Sequence, residues 1–258
     1  MKTDDSHKAF SRRNQADQAG FTLVELMVAI ALGLFIVAGL TTLFINMKTT
    51  FVSQHQQTQV QDSQRLVITM LTTNIQSAGY FIDPTNNTQA DALPASTTNN
   101  PDGTRFSAAQ GIVGTSRAAG SAALSDTFNV RYQTAGGDGV MNCLGGSNPS
   151  SATAPATWIN SFAVNANNEL TCAVNGSPAV ALVSNVAQIS LLYGVDTTGE
   201  GNADTYLAAG AVTNANLWNN VHSAKLMVRF VNLMDSNASA VVALPQPWIQ
   251  TISLMNNS

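Results

Sequence analysis

Twenty consecutive residues, Leu26 to Ile45 (LMVAIALGLFIVAGLTTLFI), carry no charge. As a helix they cover about 30 Å, the hydrocarbon thickness of a bilayer, so the run is predicted to span a membrane. Lys2, Lys8, Arg12 and Arg13 precede it, alongside Asp4, Asp5 and Asp17. Basic residues before the span and few after it predict a cytoplasmic N-terminus and a C-terminal part across the membrane. A cleaved secretory signal fits poorly. Its apolar region is about 7–15 residues long, and Thr41-Thr42-Leu43-Phe44 offers no small-residue cleavage site. A plain anchor explains the length but not Glu25, because a carboxylate costs up to about 3 kcal/mol at the bilayer centre and less near its edge.

Composition narrows the rest. Only 10% of the 258 residues are charged, against about 25% in ordinary soluble domains. The formal net charge is -4, which gives no basic footprint for phosphates. Beyond Gly20, seven basic and twelve acidic residues remain, so direct nucleic-acid binding by bulk electrostatics is not expected. Arg117 and Arg131 are the candidates for a local basic patch. The length allows one domain or two, with a real core.

Gly20-Phe21-Thr22-Leu23-Val24-Glu25, followed directly by the apolar run, resembles the class III signal of type IV pilins and pseudopilins. The resemblance implies that a prepilin peptidase cuts between Gly20 and Phe21, methylates Phe21, and leaves the hydrophobic helix in the mature chain. Physical chemistry supports the spacing. Cleavage creates a positive amine on Phe21, and Glu25 lies one helical turn away, at the positive end of the helix dipole. In a bundle of such helices the amine and carboxylate of neighbouring subunits would neutralise each other and select one axial register, which gives Glu25 an assembly role.

No proline interrupts Phe21 to Ile82, so a single helix is expected. From Phe21 to Ala78 it would measure about 87 Å. After Lys48 it turns amphipathic: Val60, Val67, Leu71, Ile75 and Ala78 fall on one stripe. Gly79 is placed to cap it and Asp83-Pro84 to stop it. The chain therefore divides into a leader (1–20), a membrane or filament-core helix (21–46), an amphipathic continuation (47–79) and a β-rich head (80–258). Strands are predicted at Thr127–Gln133, Trp158–Val164, Glu169–Val174, Val186–Val195, Lys225–Leu233 and Trp248–Met255. The fold class is α+β: a long N-terminal helix, then a mostly antiparallel sheet.

The resemblance continues beyond the leader. Gln64-Arg65-Leu66 through Ser77-Ala78-Gly79-Tyr80 is similar to the helix-ending stretch of PilW-type minor pilins. So are Tyr193-Gly194-Val195-Asp196, Tyr206, Trp218 and the closing Thr251-Ile252-Ser253-Leu254-Met255-Asn256. Residues 83–184 carry no resemblance. The likeness implies a non-catalytic subunit, first in the inner membrane with a periplasmic head and then in the pilus. Its implied partners are other minor pilins, the major pilin and the prepilin peptidase, and its implied work is priming assembly, at the tip. The alternatives are a J-type minor pseudopilin of type II secretion, or a membrane-anchored periplasmic enzyme or ligand-binding domain.

Enzyme motifs are missing: there is no G-x-S-x-G, no H-E-x-x-H and no phosphate loop. His7, His55 and His222 are far apart in sequence, and His222 reads as a surface or packing histidine. Asp196-Thr197-Thr198-Gly199-Glu200-Gly201-Asn202-Ala203-Asp204 partly matches a calcium loop, with Asp196, Glu200 and Asp204 as ligands. Thr198 in third place and Leu207 in twelfth depart from that pattern, and a turn-rich hairpin loop is the other reading. No other cofactor is expected. Cys143 and Cys172 would remain thiols in a reducing compartment, but across the membrane they are expected to pair. Closing that loop would contribute about 3.6 kcal/mol in the chain-entropy model.

Overall fold

The computed structural model describes residues 20–117, 125–231 and 246–255. The leader's basic residues and Asn256 lie outside them. The chain forms two compact units, Met1–Val52 and Ser53–Ser258.

A single helix, α1 (Leu23–Gln76), runs from the first unit into the second. Its start is capped, the Glu25 amide donating to the Thr22 hydroxyl at 3.2 Å. In the first unit every described residue is exposed, from Phe21 at 83% onward. Four threonine hydroxyls in this stretch are satisfied by the helix itself. The hydroxyls of Thr41, Thr42, Thr49 and Thr50 donate to carbonyls four residues back, at 2.8–3.0 Å. The helix is long and apolar enough to cross a membrane.

In the second unit the expected stripe turns inward. Val67, Leu71 and Ile75 are fully buried and Ala78 nearly so, whereas Val60 is half-buried. The helix ends at Gln76, two residues before the expected Ala78, in a turn that reaches Gly79. Gly79 adopts a φ of +79°, a left-handed conformation that costs glycine little, and its N–H donates to the Arg131 carbonyl at 2.9 Å.

After the short helix α2 (Gln89–Ala92) come five strands: β1 (Ile112–Thr115), β2 (Thr127–Thr134), β3 (Ala156–Val164), β4 (Glu169–Val174) and β5 (Val180–Ser184). They form an antiparallel meander in chain order. A second antiparallel sheet is built from β6 (Val186–Val195), β7 (Thr205–Ala208), β8 (Val221–Phe230) and β9 (Trp248–Ser253), ordered β7-β6-β8-β9. The helix α3 (Ala209–Ala215) and a 3-10 turn (Trp218–Asn220) lead into β8. One hydrophobic core joins the α1 stripe to both sheets. Phe128 stacks on Phe162 at 5.0 Å, and Tyr193 meets Trp218 edge-on at 4.7 Å.

The α+β class is thus what the chain adopts, but the expected single sheet is two. The reason is local and physical. Val186 follows Asn185, which has a φ of +66°, and the chain turns there out of the first meander and into the second. The strands β1, β5 and β7 escape a reading by alternation because each is only four or five residues long. One of them had a signal. Asn175-Gly176, with φ of 50° and 75°, is the dipeptide that closes tight hairpins, and it announces β5. The strand expected at Lys225–Leu233 begins instead at Val221, directly after the 3-10 turn, and ends at Phe230. Residues 232 and 233 lie outside the described chain.

Candidate functional site

Gly20, Phe21 and Glu25 lie together at the start of α1, all exposed. A Cβ added at Gly20 would meet nothing within 4 Å, so the folded chain itself does not require glycine there. Thr22 and Glu25 hold the first and fourth places of a capping-box sequence, and the Thr22 half of that box is made.

In the head, Cys143 and Cys172 form a disulfide across 29 residues, with Cα atoms 6.4 Å apart. Cys172 is fully buried in β4, so the bond pins the long loop between β2 and β3 against the core. A polar chain runs beside it. The Asn160 amide donates to Asn74 Oδ1 at 2.6 Å and to the Tyr132 hydroxyl at 3.1 Å, and that hydroxyl donates to the Met141 carbonyl at 2.8 Å. Burial pushes the Tyr132 phenol upward, against the hydrogen bond from Asn160. Helix, sheet and loop are tied together here by residues that no motif marks.

The Asp196–Asp204 loop departs from the calcium reading. Asp196 is 3% exposed, and its carboxylate accepts N–H groups from Thr198, Gly199 and Gly201 at 2.6–3.0 Å. Burial works to raise its pKa, but the N–H groups of Gly201, Gly199, Thr198 and Glu200 outweigh burial and hold it below the usual carboxylate range. Asp204 accepts the N–H and hydroxyl of Thr197 at 2.7 and 2.9 Å, which likewise lower it. These carboxylates are turned onto donors of their own loop, the Thr198 N–H reaching both, and Glu200 is exposed. Among the described residues no group of three His, Cys, Asp or Glu could hold a metal ion. The three proposed ligands are therefore not brought together. The turn-rich loop is what the sequence encodes, with Gly199 and Gly201 at φ of +82° and +81°.

Arg131 also departs from expectation. Instead of joining a surface patch it is 3% exposed. Its guanidinium donates to the carbonyls of Leu93, Pro94, Ser107 and Gln110 and lies 4.6 Å above the Phe106 ring. Burial pushes it down to about 10. It fastens the 93–110 segment to β2. Arg117 is exposed, and its backbone N–H, at the end of β1, donates to Asp126 at 2.7 Å. His222 sits with Nε2 3.8 Å from Asp196 Oδ2, at the rim of a polar cleft.

Against known proteins, residues 15–41 match the prokaryotic N-terminal methylation motif. Residues 151–248 match the family described as type IV pilus-assembly protein W. No curated protein matches the chain closely enough to count as a relative. Among solved structures the chain is similar to a type IV-like pilin from Thermus thermophilus, at 11% identity and a TM-score of 0.40, over 77% of this chain and 97% of that one. A methylation motif on an apolar helix, followed by an antiparallel β head, is the organisation of type IV pilin-like proteins. The likeness to the type IV pilus-assembly protein W family covers β3 to the start of β9. That likeness reaches back to residue 151, further than the Tyr193 to Met255 motifs alone.

Proposed function

We propose that this chain is a minor pilin which helps prime type IV pilus assembly and takes a place at the pilus tip. Prepilin peptidase cuts between Gly20 and Phe21 and methylates Phe21. Residues 21–46 hold the protein in the inner membrane, 47–79 continue the helix, and 80–258 form the periplasmic head. The helix then leaves the bilayer for the filament, beside other minor pilins and the major pilin. The role is structural, without catalysis or cofactor.

One observation carries this reading: the apolar first part of α1, exposed throughout its described residues up to Val52, begins inside a methylation motif. Such a surface is stable only under lipid or under other helices, and a filament core supplies the second once the first is left. The disulfide suits an oxidising compartment.

The test begins at Gly20. The folded chain has room for a side chain there, so Gly20→Val acts on the peptidase and not on folding. Mass spectrometry should find the variant at full length in the inner membrane and the wild type starting at methylated Phe21. A variant processed at Phe21 would overturn the assignment.

A further inference from the structure

The register of the second sheet sets one residue from each strand in a row across it. Tyr206 of β7 is opposite Gly194 of β6, Gly194 is opposite Ser223 of β8, and Ser223 is opposite Ser253 of β9. Cross-strand partners share a face. Their neighbours Tyr193, Ala224 and Ile252 fill the core, so this row looks outward. Glycine makes the row a cleft: a Cβ at Gly194 would run into Ser223 Oγ and lie 3.0 Å from the Tyr206 ring. Without it, the Tyr206 and Ser223 hydroxyls meet at 3.2 Å. A cavity of ≈ 250 Å³ opens here, lined by Asn202, Tyr206, His222, Ser223, Thr251 and Ser253.

The lining defines a ligand chemistry. Four hydroxyls and one amide both donate and accept hydrogen bonds. The Tyr206 ring, 39% exposed, adds an apolar face. Among the described residues that line it there is no lysine, arginine or carboxylate; Asp196 and Asp204 are engaged by donors of their own loop, and Asp196 also faces His222. A metal ion finds no ligand set, and a purely apolar molecule would strip water from hydroxyls without replacing it. A ring with hydroxyls on its edge and C–H groups on its face satisfies both parts of the lining. The volume, just below the usual range for ligand sites, has room for one such ring. The walls are fixed before any ligand arrives, because Asp196 and Asp204 brace the loop that carries Asn202.

We propose that this cleft binds a single pyranose sugar residue. The inference is independent of the minor-pilin reading and adds a recognition function to the head.

Saturation-transfer NMR on the full chain, held in a non-glycosidic detergent, tests it. The probes are methyl glucopyranoside, methyl galactopyranoside and N-acetylglucosamine, with open-chain sorbitol as control. At least one pyranoside should bind with a Kd of about 1 mM, as suits one ring with few contacts. Tyr206→Ala and Ser253→Ala should each weaken it about tenfold or more, and Tyr206→Phe, which keeps the ring, by less. Each variant must keep the wild-type thermal transition. Thr251→Ala, at an exposed position, serves where one of them does not. No transfer to any pyranoside, equal transfer to sorbitol, or unchanged binding in the variants would overturn the proposal. Binding is read on the chain in detergent and does not depend on processing at Gly20, which keeps this test separate from the one at Gly20.

Discussion

The guanidinium of Arg131 is buried, makes no ion pair among the described residues, and is compensated by four backbone carbonyls and one aromatic ring. Such a charge is tolerated only while every donor is used. Arg131→Met would relieve the buried charge but leave those carbonyls without donors. It should cost about 3 kcal/mol, read as a lower denaturant midpoint. Arg131→Lys, with fewer donors, should fall between the two. A Met variant as stable as wild type would show that the 93–110 segment is held by other contacts. The carboxylates of Asp196 and Asp204 give a pH prediction at the same scale. The fold holds both below their usual value, so in acid the unfolded chain binds more protons and stability rises with pH. Their contribution is complete above about pH 4 and disappears as pH falls through the lower folded values. Thermal transitions of the full chain should drop more steeply below pH 4 for wild type than for Asp196→Asn, and parallel curves would refute the account.

At the scale of the element, α1 has two environments on one continuous helix. Leu71 is fully buried against the sheets, whereas Leu66, five residues earlier, is 51% exposed. Leu71→Ala should therefore destabilise by about 3 kcal/mol through lost burial and the cavity left behind. Leu66→Ala should change little. Equal effects in chemical unfolding would mean that the buried stripe is misassigned. The strands repeat the lesson in another geometry. β4 and β6 begin and end at the residues their alternation predicts, because both have one face on the core. The edge strand β5 has Val180 and Ala181 exposed, so hydrophobicity alone gives it no face to reveal.

For the whole molecule, the proposed function is tested by what Glu25 does. It sits in the first unit, outside the head, and it is exposed. Glu25→Val should therefore leave the head folded and insert at least as readily, since an apolar side chain replaces a costly carboxylate. Under the proposed function, what is removed is a partner for the amine that processing would create on a neighbouring Phe21. Incorporation into filaments should fall while the membrane pool holds, with Phe21 confirmed as the N-terminus in both proteins. Normal incorporation of the processed variant would show the carboxylate to be dispensable.

By itself the sequence determined what depends on neighbours along the chain. That includes the uncharged run, the glycine–phenylalanine junction with Glu25 one turn on, the α1 stripe and its Gly79 stop, and the strands with one buried face. These are patterns of period 3.6 or 2, or turn residues, and they act within a few residues. The tertiary structure decided what depends on residues far apart in the chain. It divided the strands into two sheets, buried Arg131 under the 93–110 segment, and turned Asp196 and Asp204 onto donors of their own loop. It also aligned Tyr206, Gly194, Ser223 and Ser253 in one row. A side chain's charge or hydroxyl is legible in sequence, but its burial and its partners are not, because they are set by which distant backbone groups the packing brings within hydrogen-bonding reach.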